Sequence, residues 1–505
     1  MRLARKAVLR GAAALAVALA VQPAVGEELT LVGAITGPDH QTYRELAFDV
    51  PPGVRRLTVA FEYDGKAERS VIDLGLRDPR GFRGWSGGSK AGFVVSETDA
   101  TPGYLPGPLP AGRWALLLGV PNIRSGVRAG YTAKINLERD ERFSGFATQP
   151  LKGGPGWYRG DLHLHTGHSD AFCPAQSGVR APCPTFRTLE AARARGLDFV
   201  AVTDHNTTSQ AQDLRALSAA YDQLLVIPGR EVTTFFGHAN VFGPTAEIDF
   251  QLGSSRAPGL DPILDQVERA GGLFSINHPG LPSGEACMGC GWSVPDTDYR
   301  RVQAIEVLNG GVLSQFKGDD RPLSGVPFWE SRLNEGLRIT AIGGSDNHDA
   351  TLASDQPSAV GYPTTVVRAR ELSQAAILDG LRAGHVFIDA AGSGSRWMDM
   401  QASSDGRTAE MGDTLLVKPG HRVRLDVRLR GVAGGTLSLA GSTPVVLPTE
   451  CRTVASDDTA CTLELTLPPG RRWLRAEVRG PDGRLWLFGN PVYLAGDNAG
   501  AGRGR

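Results

Sequence analysis

Residues 196–205 read GLDFVAVTDH, a Gly-Leu-Asp turn, an unbroken apolar run from Phe199 to Val202, and a polar Thr-Asp-His close. A short apolar run without alternation suits a strand buried on both faces, and such strands belong to parallel sheets covered by helices. The pattern returns in LLVIPGREV (224–232), GLFSINHP (272–279), VQAIEVLNG (302–310) and LRITAIGGSDNH (337–348). Their intervals carry helical periodicity, as in TFRTLEAARARG (185–196), QAQDLRALSAAYDQ (210–223) and DPILDQVERAGG (261–272). Strand and helix in alternation predict an α/β region, a barrel or open sheet with mainly parallel strands, over residues 151–392.

Outward from this region the grammar changes. Residues 27–150 hold short alternating strands such as RLTVAFEY and VIDLGLRD between Pro/Gly turns, the pattern of an accessory β-sandwich with no cluster of chemical groups. Residues 393–497 return to strands, RVRLDVRLRG and WLRAEVRG among them, and predict a second sandwich, followed by a disordered tail at 498–505. Residues 1–26 combine Arg2, Arg5, Lys6 and Arg10 with an apolar run and Ala24-Val25-Gly26, which reads as a secretory signal. Its removal leaves 49 basic against 54 acidic residues, a net charge near −5, which excludes bulk attraction to nucleic acid. No later segment is apolar enough to span a membrane, so the expectation is an exported protein, periplasmic or extracellular. Six cysteines in that setting predict disulfides: Cys451 with Cys461, and one of three connectivities among Cys173, Cys183, Cys287 and Cys290. The latter four lie in two loops expected at one mouth, where a cross-braced lid or, alternatively, a four-cysteine zinc knuckle would form.

Seven of the ten histidines fall between His163 and His348. In DLHLHTGHSD (161–170), His163 and His165 are two apart on a strand, so they share a face and can grip one ion. His205 ends a strand, Glu231 follows one, His238 opens HANVFG, His278 ends FSINH, and Asp346 and His348 repeat the two-residue spacing. In a parallel α/β fold, groups at strand carboxyl ends converge. Imidazoles and carboxylates without cysteine suit zinc, manganese or iron, and their number exceeds what one ion uses. More than one divalent ion is therefore expected.

The stretches HLHTGHSD, TDHN, PGREVTTFFGHAN, NHPG, EVLNGG and GGSDNH, in that order, resemble the PHP (polymerase and histidinol phosphatase) metallohydrolases, and more narrowly their carbaryl-hydrolase-like CehA/McbA branch. The resemblance covers residues 157–390 and implies a distorted (β/α)7 barrel with a site for two or three divalent metal ions at its carboxyl-end mouth. It implies His163, His165, Glu231 and Asp346 around one ion, Glu231 bridging to a second held by His238 and His278, and Asp170, His205 and His348 around a third. The sequence departs from the family at Ala171, before the insertion AFCPAQSGVRAPCP, which makes His168 a substitute for Asp170.

Such a cluster predicts hydrolysis of a small-molecule ester by metal-bound hydroxide, with no covalent intermediate. Glu231 fixes the ion separation, and a metal-bound water, His168 or Asp346 serves as leaving-group acid. The superfamily implies phosphoesters, which suit the charge of three ions, whereas the nearer branch implies carboxyl or carbamate esters. A non-catalytic metal- or carbohydrate-binding protein is the reading from another class. Arg230, Asn240 and Asn309 are candidate substrate contacts, against an ion pair for Arg230 and turn or ligand-orienting roles for the asparagines, as for Asp204, Asn206, Asn277 and Asn347. The Gly-x-Ser-x-Gly match around Ser86 lacks a following helix and reads as a turn. Oligomeric state is not legible.

Overall fold

The structure, a computed structural model, describes residues 26–140, 145–147, 149–285, 287–418, 420–466 and 472–496. The expected leader, apart from Gly26, and the expected tail lie outside them. Among the described residues no helix is long and apolar enough to cross a membrane.

Seven strands carry the middle of the chain: β1 (Gly156–Asp161), β2 (Phe199–Val202), β3 (Leu225–Thr233), β4 (His238–Phe242), β5 (Leu273–Ile276), β6 (Ala304–Asn309) and β7 (Thr340–Gly344). They hydrogen-bond in chain order. β4 runs antiparallel to both neighbours, because the four residues after β3 fold it straight back as a hairpin; the other pairs are parallel. Past the strand ends Leu164 bridges Asn347, with His165 N–H donating to Asn347 O at 3.0 Å, so the end of β7 returns to the end of β1. Every residue of β2 and β5 is buried, as their unalternating sequences require. Phe199, Ile227, Phe242, Leu273 and Ile342 meet in one cluster.

Helices α1 (Thr185–Ala194), α2 (Gln210–Ser218) and α3 (Asp261–Arg269) stand in the predicted intervals, and α3 buries Ile263, Leu264 and Val267. The alternation is less regular than a (β/α)7 pattern. A hairpin replaces the helix after β3, and the β5–β6 interval has only a 3-10 turn at Tyr299–Arg301, whereas two helices, α4 (Gly310–Gln315) and α5 (Val326–Asn334), precede β7. The architecture is mixed α/β, richer in strands than in helices.

β8 (Thr364–Ala369) adds antiparallel to β1. Helix α6 (Gln374–Ala383), capped by Ser373 Oγ and stopped by left-handed Gly384 (φ 76°), leads to β9 (Val386–Asp389) beside β8. β9 then pairs with Leu485–Gly489, so one ladder runs from the ring into the C-terminal strands. Facing it is a four-stranded sheet with Trp397–Ser404 at its centre, and Met398, Leu425, Val427, Ala476 and Leu487 fill the space between. Asn490 reaches back into the ring: its Oδ1 accepts from Ala341 N at 2.8 Å, and its Nδ2 donates to Ala341 O and Val386 O. The N-terminal region is two four-stranded antiparallel sheets over a shared core that includes Leu57, Leu74, Trp114 and Ile135. It holds α2 through Gln212 Oε1, which accepts from Ala100 N at 2.7 Å, and through an Asp99–Arg215 ion pair.

Cys451 pairs with Cys461. The other four cysteines pair within their own loops, Cys173 with Cys183 and Cys287 with Cys290, which corrects the cross-braced lid and removes the zinc-knuckle alternative. The first pair closes a small hairpin in which Cys173 stands opposite Ala181, so its partner is already at hand.

Candidate metal centre

At the carboxyl ends of the parallel ring strands lies a cavity of about 630 Å³. Glu231, fully buried, is its centre. Its Oε2 lies 2.9 Å from His205 Nδ1 and 3.5 Å from the Nε2 atoms of His163 and His165. Its Oε1 lies 3.3 Å from His238 Nδ1 and 3.5 Å from His278 Nε2. Asp346 Oδ1 is 3.3 Å from His163 Nε2 and 3.2 Å from His165 Nε2. Asp170 Oδ1 lies 3.3 Å from His348 Nε2 and 3.6 Å from His205 Nε2. All nine residues singled out as metal ligands therefore converge. They fall into overlapping groups whose ligand atoms lie within 4.8 Å of one another: His163, His165 and Glu231; His163, His278 and Asp346; Glu231, His238 and His278; His165, Asp170, His205 and His348.

The donor set fits divalent ions. His163 Nε2, His165 Nδ1 and Glu231 Oε2 are buried without any hydrogen-bond partner, an arrangement that is costly unless a cation lies between the lone pairs. The opposite ring nitrogens are engaged. His163 Nδ1 meets Glu306 Oε1 at 2.9 Å, His278 Nδ1 donates to Cys290 O at 3.0 Å, and His238 Nε2 donates to Met288 O at 3.1 Å. Each outer partner fixes a tautomer and turns the other nitrogen's lone pair inward, as metal-binding histidines require. Asn277 Nδ2 donates to Glu231 Oε1 at 2.9 Å, which sets the carboxylate plane. His278 (φ 27°) and Asp346 (φ 50°) hold left-handed backbone, strain that persists only where surrounding bonds over-determine it. One such bond runs from His278 N to Glu306 Oε2 at 3.1 Å.

Electrostatics within the protein alone agree. Burial works against charge on His163, but Asp346, Glu306 and Glu231 outweigh it and raise its pKa. Burial likewise opposes charging of His205, yet Glu231 and Asp170 lift it to about 10, and Asp170 and Asp346 lift His348 to about 9. At His165 burial wins, helped by the neighbouring His348 and His205, and the pKa is pushed down to about 4. Glu231 and Asp346 lie well below the usual carboxylate range, since the surrounding imidazoles overcome desolvation.

Several other expectations need correction. His168 turns away from the centre: Nδ1 meets Ser209 Oγ at 2.8 Å and Nε2 meets Asp213 Oδ2 at 3.0 Å, so it replaces neither Asp170 nor a leaving-group acid. Arg230, on the opposite side of its strand from Glu231, is buried and donates to Ile248 O and Ala246 O, and burial lowers its pKa to about 10. Asn240 is likewise buried and donates to Leu162 O. Asn309 does line the cavity, where it caps α4 and donates to Glu306 and Asp346. Asp204 anchors Thr166 and Ser169, and Ser86 bonds Tyr104 OH.

Two residues escaped the sequence reading. Glu306 was visible as a carboxylate inside the otherwise apolar run AIEVL, and buried acids are rare unless paired. Asp161, fully buried, joins the ends of β1 and β7 by accepting from His163 N, Ser345 N and Gly361 N. It is the last residue of β1, two before His163, and an acid opening the DLHLH stretch was the available signal.

The site is that of a mixed α/β protein with a buried histidine–carboxylate cluster whose side chains could hold metal ions. No family model matches the chain. Over 155 residues it is 28% identical to an uncharacterised protein of Methanocaldococcus jannaschii, a match that covers 30% of this chain and 81% of that one. It is also similar, at 17% identity and a TM-score of 0.35, to the crystal structure of a two-domain protein containing a predicted PHP-like metal-dependent phosphoesterase from Bacteroides vulgatus, covering 70% of this chain and 99% of that one.

Proposed function

We propose that this chain is an exported metal-dependent phosphoesterase of the PHP type, its seven-strand ring a distorted (β/α)7 barrel between two β-sandwich modules. The observation that carries the reading is Glu231, a buried carboxylate faced by five imidazoles, with Asp346 and Asp170 extending the cluster on either side. Divalent ions held there lower the pKa of water and offset charge on the attacked group. The chain's own residues set the geometry. Glu231 spaces the ligand groups; Glu306, Met288 O and Cys290 O hold imidazole tautomers; Asn309 keeps Asp346 turned to the cavity. No Lys or Arg is among the described residues lining the cavity, so an anionic phosphoryl group would be balanced by the ions themselves. Three disulfides suit an oxidising compartment.

One observation favours a second reading, a carboxyl or carbamate esterase. Leu281, Pro282 and Met288 line the mouth, and Phe235 nearby is 76% exposed, a rim suited to an uncharged substrate. Elemental analysis of chelator-free protein, followed by nitrophenyl phosphates, phosphodiesters and carboxyl esters, separates the two. The phosphoesterase reading expects zinc, manganese or iron, loss of activity with chelator, and competition by inorganic phosphate. Faster turnover of acetate or carbamate esters with indifference to phosphate selects the second reading, and absence of both metal and turnover removes both.

A further inference from the structure

The loop between β5 and β6 folds back over the mouth and supplies the outer partners of two histidines. His238 Nε2 donates to Met288 O and His278 Nδ1 donates to Cys290 O, which leaves His238 Nδ1 and His278 Nε2 facing Glu231 Oε1. Both carbonyls belong to one four-residue turn, Cys287-Met288-Gly289-Cys290, closed by its own disulfide. The turn is anchored at each end. Cys287 and Gly284 exchange backbone bonds of 3.0 and 3.2 Å, and Gly291 N donates to Ser283 Oγ. In between, Gly289 (φ 77°) packs so closely that a Cβ would collide with the Thr234 carbonyl oxygen, on the short loop that leads to His238. Cys290 is buried, whereas Cys287 is exposed at the mouth.

We propose that this disulfide-closed turn is the positioning element for the ion shared by Glu231, His238 and His278, and that its thiol–disulfide state sets how firmly that ion is held. The inference rests on the metal-hydrolase reading. The disulfide restrains the turn's ends, and through them the two carbonyls; opened, the turn lets both imidazoles rotate. The switching step is thiol–disulfide exchange with an external dithiol. One thiolate of the reductant attacks Cys287 Sγ, the S–S bond breaks to release Cys290, and the reductant's second thiol then displaces Cys287. Two electrons and two protons pass to the cysteines, and the dithiol closes to its own disulfide.

The test is metal retention in the full-length protein loaded with zinc. Cys287→Ser with Cys290→Ser, and separately Gly289→Ala with the disulfide intact, are compared with wild type and with Cys451→Ser plus Cys461→Ser, a pair remote from the centre. Zinc is counted by elemental analysis after gel filtration and titrated against a chromophoric chelator. Both turn variants are expected to hold one equivalent about 10–100-fold more weakly, with the remaining equivalents and the control unchanged. Should the double-serine variant fail to fold, Gly289→Ala decides alone. Wild-type retention in the turn variants overturns the proposal and leaves the hydrolase reading standing. A wild type that takes up no metal overturns both.

Discussion

Replacing Glu231 by Gln tests the centre at its most connected point. The amide keeps the volume of the carboxylate and can still accept from Asn277 Nδ2, so no cavity opens and the packing of β3 is undisturbed. What is lost is a negative charge whose two oxygens lie 2.9–3.5 Å from five imidazoles. With an effective dielectric near 20, unit charges about 4 Å apart interact by about 4 kcal/mol. That corresponds to roughly three orders of magnitude in an equilibrium constant. The expected outcome is at least one metal equivalent lost at micromolar free metal and turnover reduced by about a thousandfold or more, with circular dichroism unchanged. Elemental analysis and initial rates on the best substrate measure it. Near-normal metal content together with near-normal turnover would show that Glu231 does not bridge anything, and would refute the reasoning.

Three further outcomes follow from the same geometry. Glu306→Gln, which weakens the outer partner of His163 without touching the cavity, should lower metal affinity about 10–100-fold by chelator competition. Arg230→Met should leave KM unchanged, because the guanidinium faces Ala246 O and Ile248 O, but the two orphaned carbonyls should cost about 1–3 kcal/mol in denaturant unfolding; a raised KM at normal stability would return Arg230 to the substrate. Metal-free protein should lose stability as pH rises. His205 and His348 have folded-state values raised to about 10 and about 9, so their contribution is full below about 6.5 and fades as pH climbs through the folded values. Metal-loaded protein, with neutral imidazoles, lacks that loss, so the Tm gap between chelated and loaded samples should widen from pH 6.5 to 10; a constant gap would contradict the assignment.

The strands that build the centre were legible because burial on both faces forces runs without polar alternation, such as FVAV and LFSI, and because ligands at strand ends leave polar closes such as TDH and NH. The convergence of all nine candidate ligands was legible for the same reason. Side-chain direction was legible only where the strand period applies. His168 and Arg230 sit beside true members of the cluster, yet each turns away, His168 because Ser209 and Asp213 satisfy both its nitrogens and Arg230 because strand alternation puts it opposite Glu231. The irregular helices were also hidden, since a hairpin and a 3-10 turn leave no periodic signature. The local pairing of Cys287 with Cys290 depended on a fold-back of the loop that spacing alone does not encode.

Asn490 ties the C-terminal strands to the ring. It caps the backbone of Ala341 from a position 149 residues downstream, just past the Leu485–Gly489 strand that occupies the edge of β9. The region after residue 392 is thus a structural subunit of the ring rather than a passenger. A gene fragment ending there would leave a raw, sticky strand and two unserved peptide groups beside β7, the strand that leads to Asp346 and His348. Recombination could exchange the N-terminal sheets more freely than this region, which must travel with the ring to keep the β9 edge covered.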